Sequence, residues 1–258
     1  MSFLDLRKST AILFAALALA AAASPSKAVN DSDGHTAPAV APVLPASADL
    51  GYRTTATMKL MGLPVTLHGR TTIRWRLEGA HYETRLHIDT GGFDQFSRGQ
   101  LAADGALQPQ RYEEKRPFHE PDYVDIDWAH GRIQYGASAP TQAPAAGAQD
   151  RLSLIFELSR QLQSFSERFV SGSVHTAALI GTHDIDVWRI VCEDEKSVDT
   201  GKGSMRAVRF SARRSVGSLE ETMDIWLGAD LRWMPIRIHI VDRKGSIIDS
   251  VLEDAVVP

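Results

Sequence analysis

The residues best suited to chemistry are histidines and acids that stand close together in the sequence. The segment His183–Asp186 (HDID) places an imidazole beside two carboxylates, and His119–Asp122 (HEPD) offers a second such set in a predicted turn. These groups could serve a hydrolase as acid and base, or could bind a metal ion. Neither spacing matches a defined zinc or calcium motif, so no metal ligand is assigned. Solvated loops are the alternative interpretation of both segments.

Other candidates stand on predicted strands. Asp125 and Asp127 share one face of a strand about 7 Å apart, a separation that suits paired acid–base work. His81 and His87 also share a face, but six residues separate them by about 20 Å, which is too far to share an ion. Cys192, the single cysteine, alternates with apolar residues in a strand. We interpret it as a small hydrophobic core residue.

Known catalytic and cofactor motifs are absent from the sequence. It has no Gly-x-Ser-x-Gly elbow, no phosphate-binding loop, no dinucleotide fingerprint and no His-Glu-x-x-His helix. The sequence therefore predicts a protein that is not an enzyme and has no catalytic residue, cofactor site or metal site. A hydrolase that uses His183 and Asp184 is kept as an alternative.

The aromatic and apolar residues suggest binding of an apolar ligand. The five tryptophans fall in predicted strands or at their ends, where they would fill a core or line a cavity. Arg237 alternates with isoleucines and faces solvent, a carboxylate or a ligand. The candidate ligand-binding residues are Leu152, Ile155, Phe156, Trp75, Trp128 and Arg237.

Apolar and polar residues alternate through most of the chain, which is typical of strands with one buried face. Examples are Ile73–Leu77 (IRWRL), Val208–Arg213 (VRFSAR) and Ile236–Ile240 (IRIHI). Ten or so such segments predict a mainly β fold, a large curved antiparallel sheet or half-barrel with one face on a core. Pro235 lacks an amide donor and indicates an edge strand or a bulge.

One segment has helical spacing instead. Residues 151–164 place apolar side chains three and four apart, and Asp150 precedes them as a potential cap. The concave face of the sheet is the partner for this apolar helix face, so we expect one or two helices packed there. Leu152, Ile155 and Phe156 would then form a lid. The segment 165–181 is ambiguous.

The N-terminus predicts export. Arg7 and Lys8 precede a short apolar run, and a small-residue site ends at Ala28; together these features indicate a cleavable signal peptide over residues 1–28. Residues 1–28 contain three cations and one acid, so cleavage changes the formal net charge from −4 to −6. That balance argues against nucleic acid as a partner. No membrane-spanning segment is expected after cleavage, and the oligomeric state stays open.

The domain organisation follows from composition. Residues 29–48 are rich in Ala and Pro and are expected to be a disordered linker. Residues 49–258 form a single β-rich domain, within which residues 136–148 are expected to be a flexible surface loop.

Three blocks in order carry a resemblance to a known family. They are residues 97–112, which end in GALQPQRY, residues 149–153 (QDRLS), and residues 226–238 with WLGAD and MPIRI. Together with the hairpin turn at 200–203 (TGKG), they resemble the exported bacterial family catalogued as domain of unknown function 3108. The resemblance covers roughly residues 49–254. Departures are Ala106 within the usual Gly-Leu-x-Pro turn and the inserted loop at 136–147.

The resemblance implies a lipoprotein-carrier-like fold and a Gram-negative periplasm, but no catalytic residue, because the family has no established activity. The leading hypothesis is a non-enzymatic, chaperone-like carrier of a hydrophobic ligand or lipoprotein. A structural or assembly factor of the cell envelope is the second hypothesis, and a hydrolase is the third. An apolar internal cavity would favour the carrier.

Overall fold

The computed structural model describes residues 44–61, 63–89, 92–144, 146–216 and 219–258. The predicted signal peptide and most of the predicted linker lie outside the described residues. The last residues of that linker belong to the folded domain, since the first strand begins at Ser47 and both Leu44 and Ala48 are buried.

Within the described residues, fifteen strands form one sheet. The strands are β1 (Ser47–Leu60), β2 (Leu63–Glu78), β3 (His81–Ile88), β4 (Phe93–Leu101), β5 (Leu107–Lys115), β6 (Asp122–Asp127), β7 (Arg132–Tyr135), β8 (Thr141–Gln142), β9 (Gln149–Asp150), β10 (Val174–Ile180), β11 (Ile185–Thr200), β12 (Gly203–Val216), β13 (Leu219–Gly228), β14 (Met234–Val241) and β15 (Ile247–Val256). The helix α1 spans Ser153–Ser164, and Ser166–Arg168 and Ala229–Leu231 form short 3₁₀ turns.

The strands follow the order β8-β7-β6-β5-β4-β3-β2-β1-β15-β14-β13-β12-β11-β10-β9. Neighbours pair antiparallel, apart from the two-residue parallel pairing of β9 with β10. The sheet is not closed, and its two edges, β8 and β9, are consecutive along the chain. The prediction of a mainly β, curved antiparallel sheet is therefore confirmed. The strand count exceeds ten because two-residue strands and β10, within the ambiguous segment, carry no clear sequence pattern.

Alternation along each strand produces the two faces of the sheet. In β3 every second residue is buried, from Tyr82 to Ile88, while the residues between them are exposed. Register shifts interrupt the pairing at four places in the described sheet, and two of them involve a proline. Gly99 of β4 lies opposite Pro109, and Leu227 of β13 lies opposite Pro235, each next to a register shift. Of the edge strand or bulge predicted at Pro235, the structure shows the bulge, since β14 has a neighbour on each side. A residue without an N–H cannot continue the ladder.

The connections alternate between the two ends of the sheet. Because β1, β3, β5, β10, β12 and β14 run in the same direction, the turns that follow them lie at one end, which we call the mouth end. The turns after the other long strands lie at the opposite end. This arrangement decides which loops and which strand termini can act together.

Candidate functional site

Helix α1 lies in the sheet's concave interior. The predicted helix at 151–164 is confirmed, with its first helical residue at Ser153. Residues on all sides of it are buried, including the charged residues Glu157 and Arg160. The helix therefore fills the interior, and the surrounding protein covers more than one side of it.

Four of the six candidate ligand-binding residues meet in this interior. Leu152, Ile155, Phe156 and Trp75 are all at most 3 % exposed. The Phe156 ring stacks on Trp75 at a centroid distance of 4.5 Å, and Trp75 stacks in turn on Tyr82 at 5.5 Å. This aromatic column joins α1 to β2 and β3, so the apolar side of the helix and the sheet form one core.

The other two candidates lie elsewhere. Trp128 follows β6 at the opposite end from the mouth, partly buried, and its indole N–H donates to the carbonyl of Pro109 at 2.6 Å. Arg237 lies on the outer face of β14, where it donates two 2.9 Å hydrogen bonds to Asp249 and stacks on Trp226 at 4.8 Å. The sequence left solvent, a carboxylate or a ligand as the partner of Arg237, and the structure shows a carboxylate.

A buried carboxylate starts the helix. Asp150 Oδ1 accepts hydrogen bonds from the backbone amides of Leu152 and Ser153, at 2.9 and 2.8 Å, which confirms the predicted cap. Its Oδ2 accepts from the Ser97 hydroxyl of β4 at 2.6 Å. Burial raises the pKa of the Asp150 carboxyl to about 6, although these hydrogen bonds favour the ionised form.

This raised pKa predicts a pH-dependent stability. Between pH about 4 and 6 the folded state binds more protons at Asp150 than the unfolded state does, so stability falls as pH rises through that window. Asp150→Asn keeps an oxygen for the two amides and carries no charge. Relative to the wild type, the free energy of unfolding of this variant should rise by about 3 kcal/mol as the pH rises from 4 to 7, measured by urea unfolding.

The matched control for this prediction is Asp194→Asn, because Asp194 is exposed on β11. It should follow the wild-type pH dependence. If Asp150→Asn follows that same dependence, the buried carboxylate does not titrate as stated.

A second polar contact fixes the middle of the helix. Glu157 accepts a hydrogen bond from the backbone amide of Leu107 at 3.0 Å and pairs with Arg160 at 2.6 Å. The Leu107 carbonyl accepts from the Gln149 side chain at 2.7 Å. Both backbone groups of this β5 residue are thus satisfied by the segment that contains α1, as buried polar groups require.

A charged cluster lies where the N-terminus of α1 meets the mouth end. Arg151 pairs with Glu221 of β13 at 2.8 Å, and Arg243 of the β14–β15 turn pairs with the same carboxylate at 3.5 Å. Arg214 of β12 pairs with Asp186 at 2.5 Å. The side chains of Arg214 and Glu221 are only 7 % and 5 % exposed, so these charges interact at low local dielectric.

The interior holds little empty space. Beside this cluster is a cavity of about 40 Å³, lined among others by Leu86, Ile155, Trp188, Met223 and Ile240. It has room for a few water molecules at most. Helix α1 itself lies in the concave interior beside this cavity.

The acid and histidine sets of the sequence do not assemble into a metal site. His183 Nε2 lies 3.6 Å from Asp122, which joins the two predicted segments loosely at the mouth end, while Asp184 pairs with Arg214. Asp125 pairs with Arg111 on the outer face. Among the described residues, no group of three or more His, Cys, Asp or Glu side chains could hold a metal ion.

Cys192 occupies the core position that its alternation predicts. It is 1 % exposed, its thiol donates to the carbonyl of Phe169 at 3.2 Å, and burial raises its pKa. A thiol held in the protonated form is a poor nucleophile.

Sequence reasoning missed the charged cluster at the mouth end, although a signal was present. Arg214 is in phase with Phe210 and Ala212 on the inner face of β12, and Glu221 is in phase with Met223 on β13. A charge that continues a buried row at the end of a strand indicates a paired site at the rim.

Comparisons with known proteins agree with this fold. The family described as "Protein of unknown function (DUF3108)" matches residues 52–252. No curated protein matches the chain significantly. Among solved structures, a beta-barrel-like protein of domain of unknown function DUF1849 from Brucella abortus aligns with a TM-score of 0.53 and 12% identity, over 84% of this chain and 99% of that one.

A putative outer membrane lipoprotein-sorting protein domain from Vibrio parahaemolyticus aligns with a TM-score of 0.23 and 10% identity, over 82% of this chain and 85% of that one. That score is too low to carry an argument. Among the described residues, no helix has the length and apolar character needed to cross a membrane.

Proposed function

The chain belongs to the DUF3108 family of proteins of unknown function, and from that premise we propose that it is an exported, non-enzymatic carrier. In this proposal it acts in the periplasm after cleavage behind Ala28. It binds a hydrophobic ligand, or the apolar part of a lipoprotein, on the concave face of its sheet. Helix α1 is the lid over that face.

The observation that carries the proposal is the position of α1 in the topology. The helix belongs to the segment that joins β8 to β10, and it directly follows β9, one of the two edges of the sheet. Moving this segment outward breaks the two β9–β10 residue pairs, Leu179 with Gln149 and Ile180 with Asp150, and the backbone hydrogen bonds that join Gly172 and Ser173 to Cys192. It also breaks the side-chain contacts of α1 with the sheet. The long antiparallel ladders stay intact, so the helix can open as a lid while the sheet stays folded.

Displacement of α1 would expose an apolar trough. A 12-residue helix is about 18 Å long, and its removal uncovers buried aromatic and aliphatic side chains of the sheet. These include Trp75, Tyr82, Ile225 and Ile238. A surface of this kind binds apolar molecules by burying their area, with few polar groups to set orientation.

The cost of opening comes mainly from the buried apolar side chains of α1, and the polar contacts of the lid add to it. Arg151–Glu221, Asp150–Ser97 and the hydrogen bond from the Leu107 amide to Glu157 must all break. Because these groups become hydrated when the lid opens, each net contribution is far smaller than the interaction in the dry interior. The closed state is then favoured without ligand, and an apolar ligand shifts the population toward the open state.

A structural or assembly role in the cell envelope is the second candidate. The size of the internal cavity, about 40 Å³, favours it, because a protein that never opens would have no room for cargo. A hydrolase based on His183 and Asp184 receives no such support, since Asp184 pairs with Arg214 at 3.3 Å.

A substitution at the rim tests the carrier. Ile240 lines the cavity at the mouth end and is only partly buried, so Ile240→Asn places an amide there while the deep core stays intact. Titration with a fluorescent long-chain fatty acid should show about tenfold weaker binding to this variant, because apolar contact at the rim is lost. The matched control is His239→Asn, one residue away on the outer face, and it should bind like the wild type. Equal affinity of both variants, or no binding by the wild type, contradicts the carrier proposal.

A further inference from the structure

The β1–β2 hairpin extends beyond its neighbours at the mouth end. Pairing of β1 with β15 stops at Thr57 and Ile247, and pairing of β2 with β3 stops at Thr71 and Ile88. Beyond these points the two strands pair only with each other. We call this projecting part, residues 58–69, the arm. Its described residues lack the neighbouring strands that protect the rest of the ladder.

The arm has an apolar face and a polar face. Met58, Leu63 and Leu67 are 39 %, 69 % and 37 % exposed, and they are in phase with the buried inner residues of β1 and β2. Lys59 and Thr66 are on the opposite face and are also exposed. The apolar inner surface of the sheet thus continues past the mouth as an exposed strip, and apolar patches of this kind mark interaction sites.

The turn of the arm presents a large apolar side chain in an unfavourable backbone conformation. Met61 has φ of 52° and is 97 % exposed. Phe118, in the turn between β5 and β6 at the same end, has φ of 62° and is fully exposed. Glycine or asparagine would fit this left-handed region better, and burial does not compensate either residue. Packing within the chain does not explain why these tips are apolar.

Cations accompany these tips. The arm contains one lysine and no Asp or Glu, whereas the turn that contains Phe118 also contains Arg116 and Glu120. The lysine, Lys59, is exposed on the arm itself, and Lys115 and Lys244 are exposed beside the other turns of the mouth end. Apolar tips flanked by cations complement a surface that has a hydrocarbon interior and anionic head groups.

We propose that the mouth end docks on an anionic lipid surface, with Met61 and Phe118 inserted at the level of the head groups and the lysines beside lipid phosphates. The N-terminus of α1 and the charged cluster beside it then lie at the end of the sheet that faces the lipid. This inference goes beyond carriage, because docking requires only the arm and the turns and would hold for a protein that binds no ligand.

The first test is vesicle binding by matched double variants of the mature chain, residues 29–258, because the apolar run within residues 1–28 would itself bind vesicles. Met61→Ser with Phe118→Ser should weaken sedimentation with phosphatidylglycerol–phosphatidylethanolamine vesicles by about tenfold or more, since two apolar insertions are lost. Val170→Ser with Val174→Ser removes exposed valines away from the mouth end, and should bind like the wild type. Added salt and vesicles of phosphatidylcholine alone should both weaken wild-type binding. Equal binding by both double variants overturns the proposal.

The second test measures insertion directly. A single environment-sensitive fluorophore is attached at Met61→Cys, and in a separate protein at Lys202→Cys in the β11–β12 turn of the opposite end. Cys192 is buried and should not react. The label at position 61 should shift to the blue on adding anionic vesicles, and the label at 202 should not. Equal blue shifts at both positions overturn the proposal. A blue shift at position 61 that appears without vesicles as the protein concentration rises also overturns it, because it would report contact with a second copy of the chain.

Discussion

Phe156→Ala is expected to lower the free energy of unfolding by about 3–5 kcal/mol, the largest effect of any single apolar truncation proposed for this chain. Phe156 is fully buried, and its ring stacks on Trp75 at 4.5 Å. Its removal leaves a cavity between α1 and β2 that the surrounding sheet cannot collapse to fill, because long ladders fix the strands on both sides. Urea unfolding followed by tryptophan fluorescence measures the change.

Phe118→Ala is the matched control. It removes the same side chain from a position that is fully exposed, so it should change the free energy of unfolding by no more than about 0.5 kcal/mol. Similar losses in the two variants would mean that α1 does not pack in the interior as described.

Glu157→Ala is expected to lower the free energy of unfolding by about 3–5 kcal/mol, because it leaves a buried charge without its partner. The substitution leaves the guanidinium of Arg160, whose side chain is 9 % exposed, without its partner at 2.6 Å. It also leaves the backbone amide of Leu107 without an acceptor. An unpaired buried cation and an unsatisfied buried donor both destabilise the closed position of α1.

A second substitution separates these causes. Replacing Arg160 with Met in the Glu157→Ala background removes the unpaired charge and should recover more than half of the loss, measured as a double-mutant cycle. No recovery would show that the Arg160 charge is not buried against the helix. A loss below about 1 kcal/mol in the single variant would show that Glu157 is hydrated in the folded state.

Local elements were predictable from the sequence because their patterns are local. Alternation identified the faces of the strands around Trp75, Phe210 and Ile238, and helical spacing identified α1 within two residues. The cap at Asp150 followed from the chemistry of a free helix end. The sequence predicted a curved sheet but not the order of its strands, because alternation does not reveal which strands are neighbours.

The site was less predictable, since several of its determinants depend on long-range pairing. Arg237 was a candidate ligand-binding residue, but its nearest charge is Asp249 on the next strand, which no local pattern reveals. The ion pair between Arg151 and Glu221 joins residues 70 positions apart. Trp128 alternates with buried residues, yet β6 ends before it, so it lies at the end opposite the mouth.

In the carrier proposal, α1 occupies in the closed state the place that an apolar ligand takes in the open state. Native mass spectrometry of the protein purified from its own cell envelope, with lipid analysis of what dissociates from it, tests that claim most directly. We expect a stoichiometric apolar adduct whose occupancy is reduced in Ile240→Asn and unchanged in His239→Asn. A clean mass of the chain alone, unchanged after incubation with envelope lipids, would contradict it and leave the assembly role.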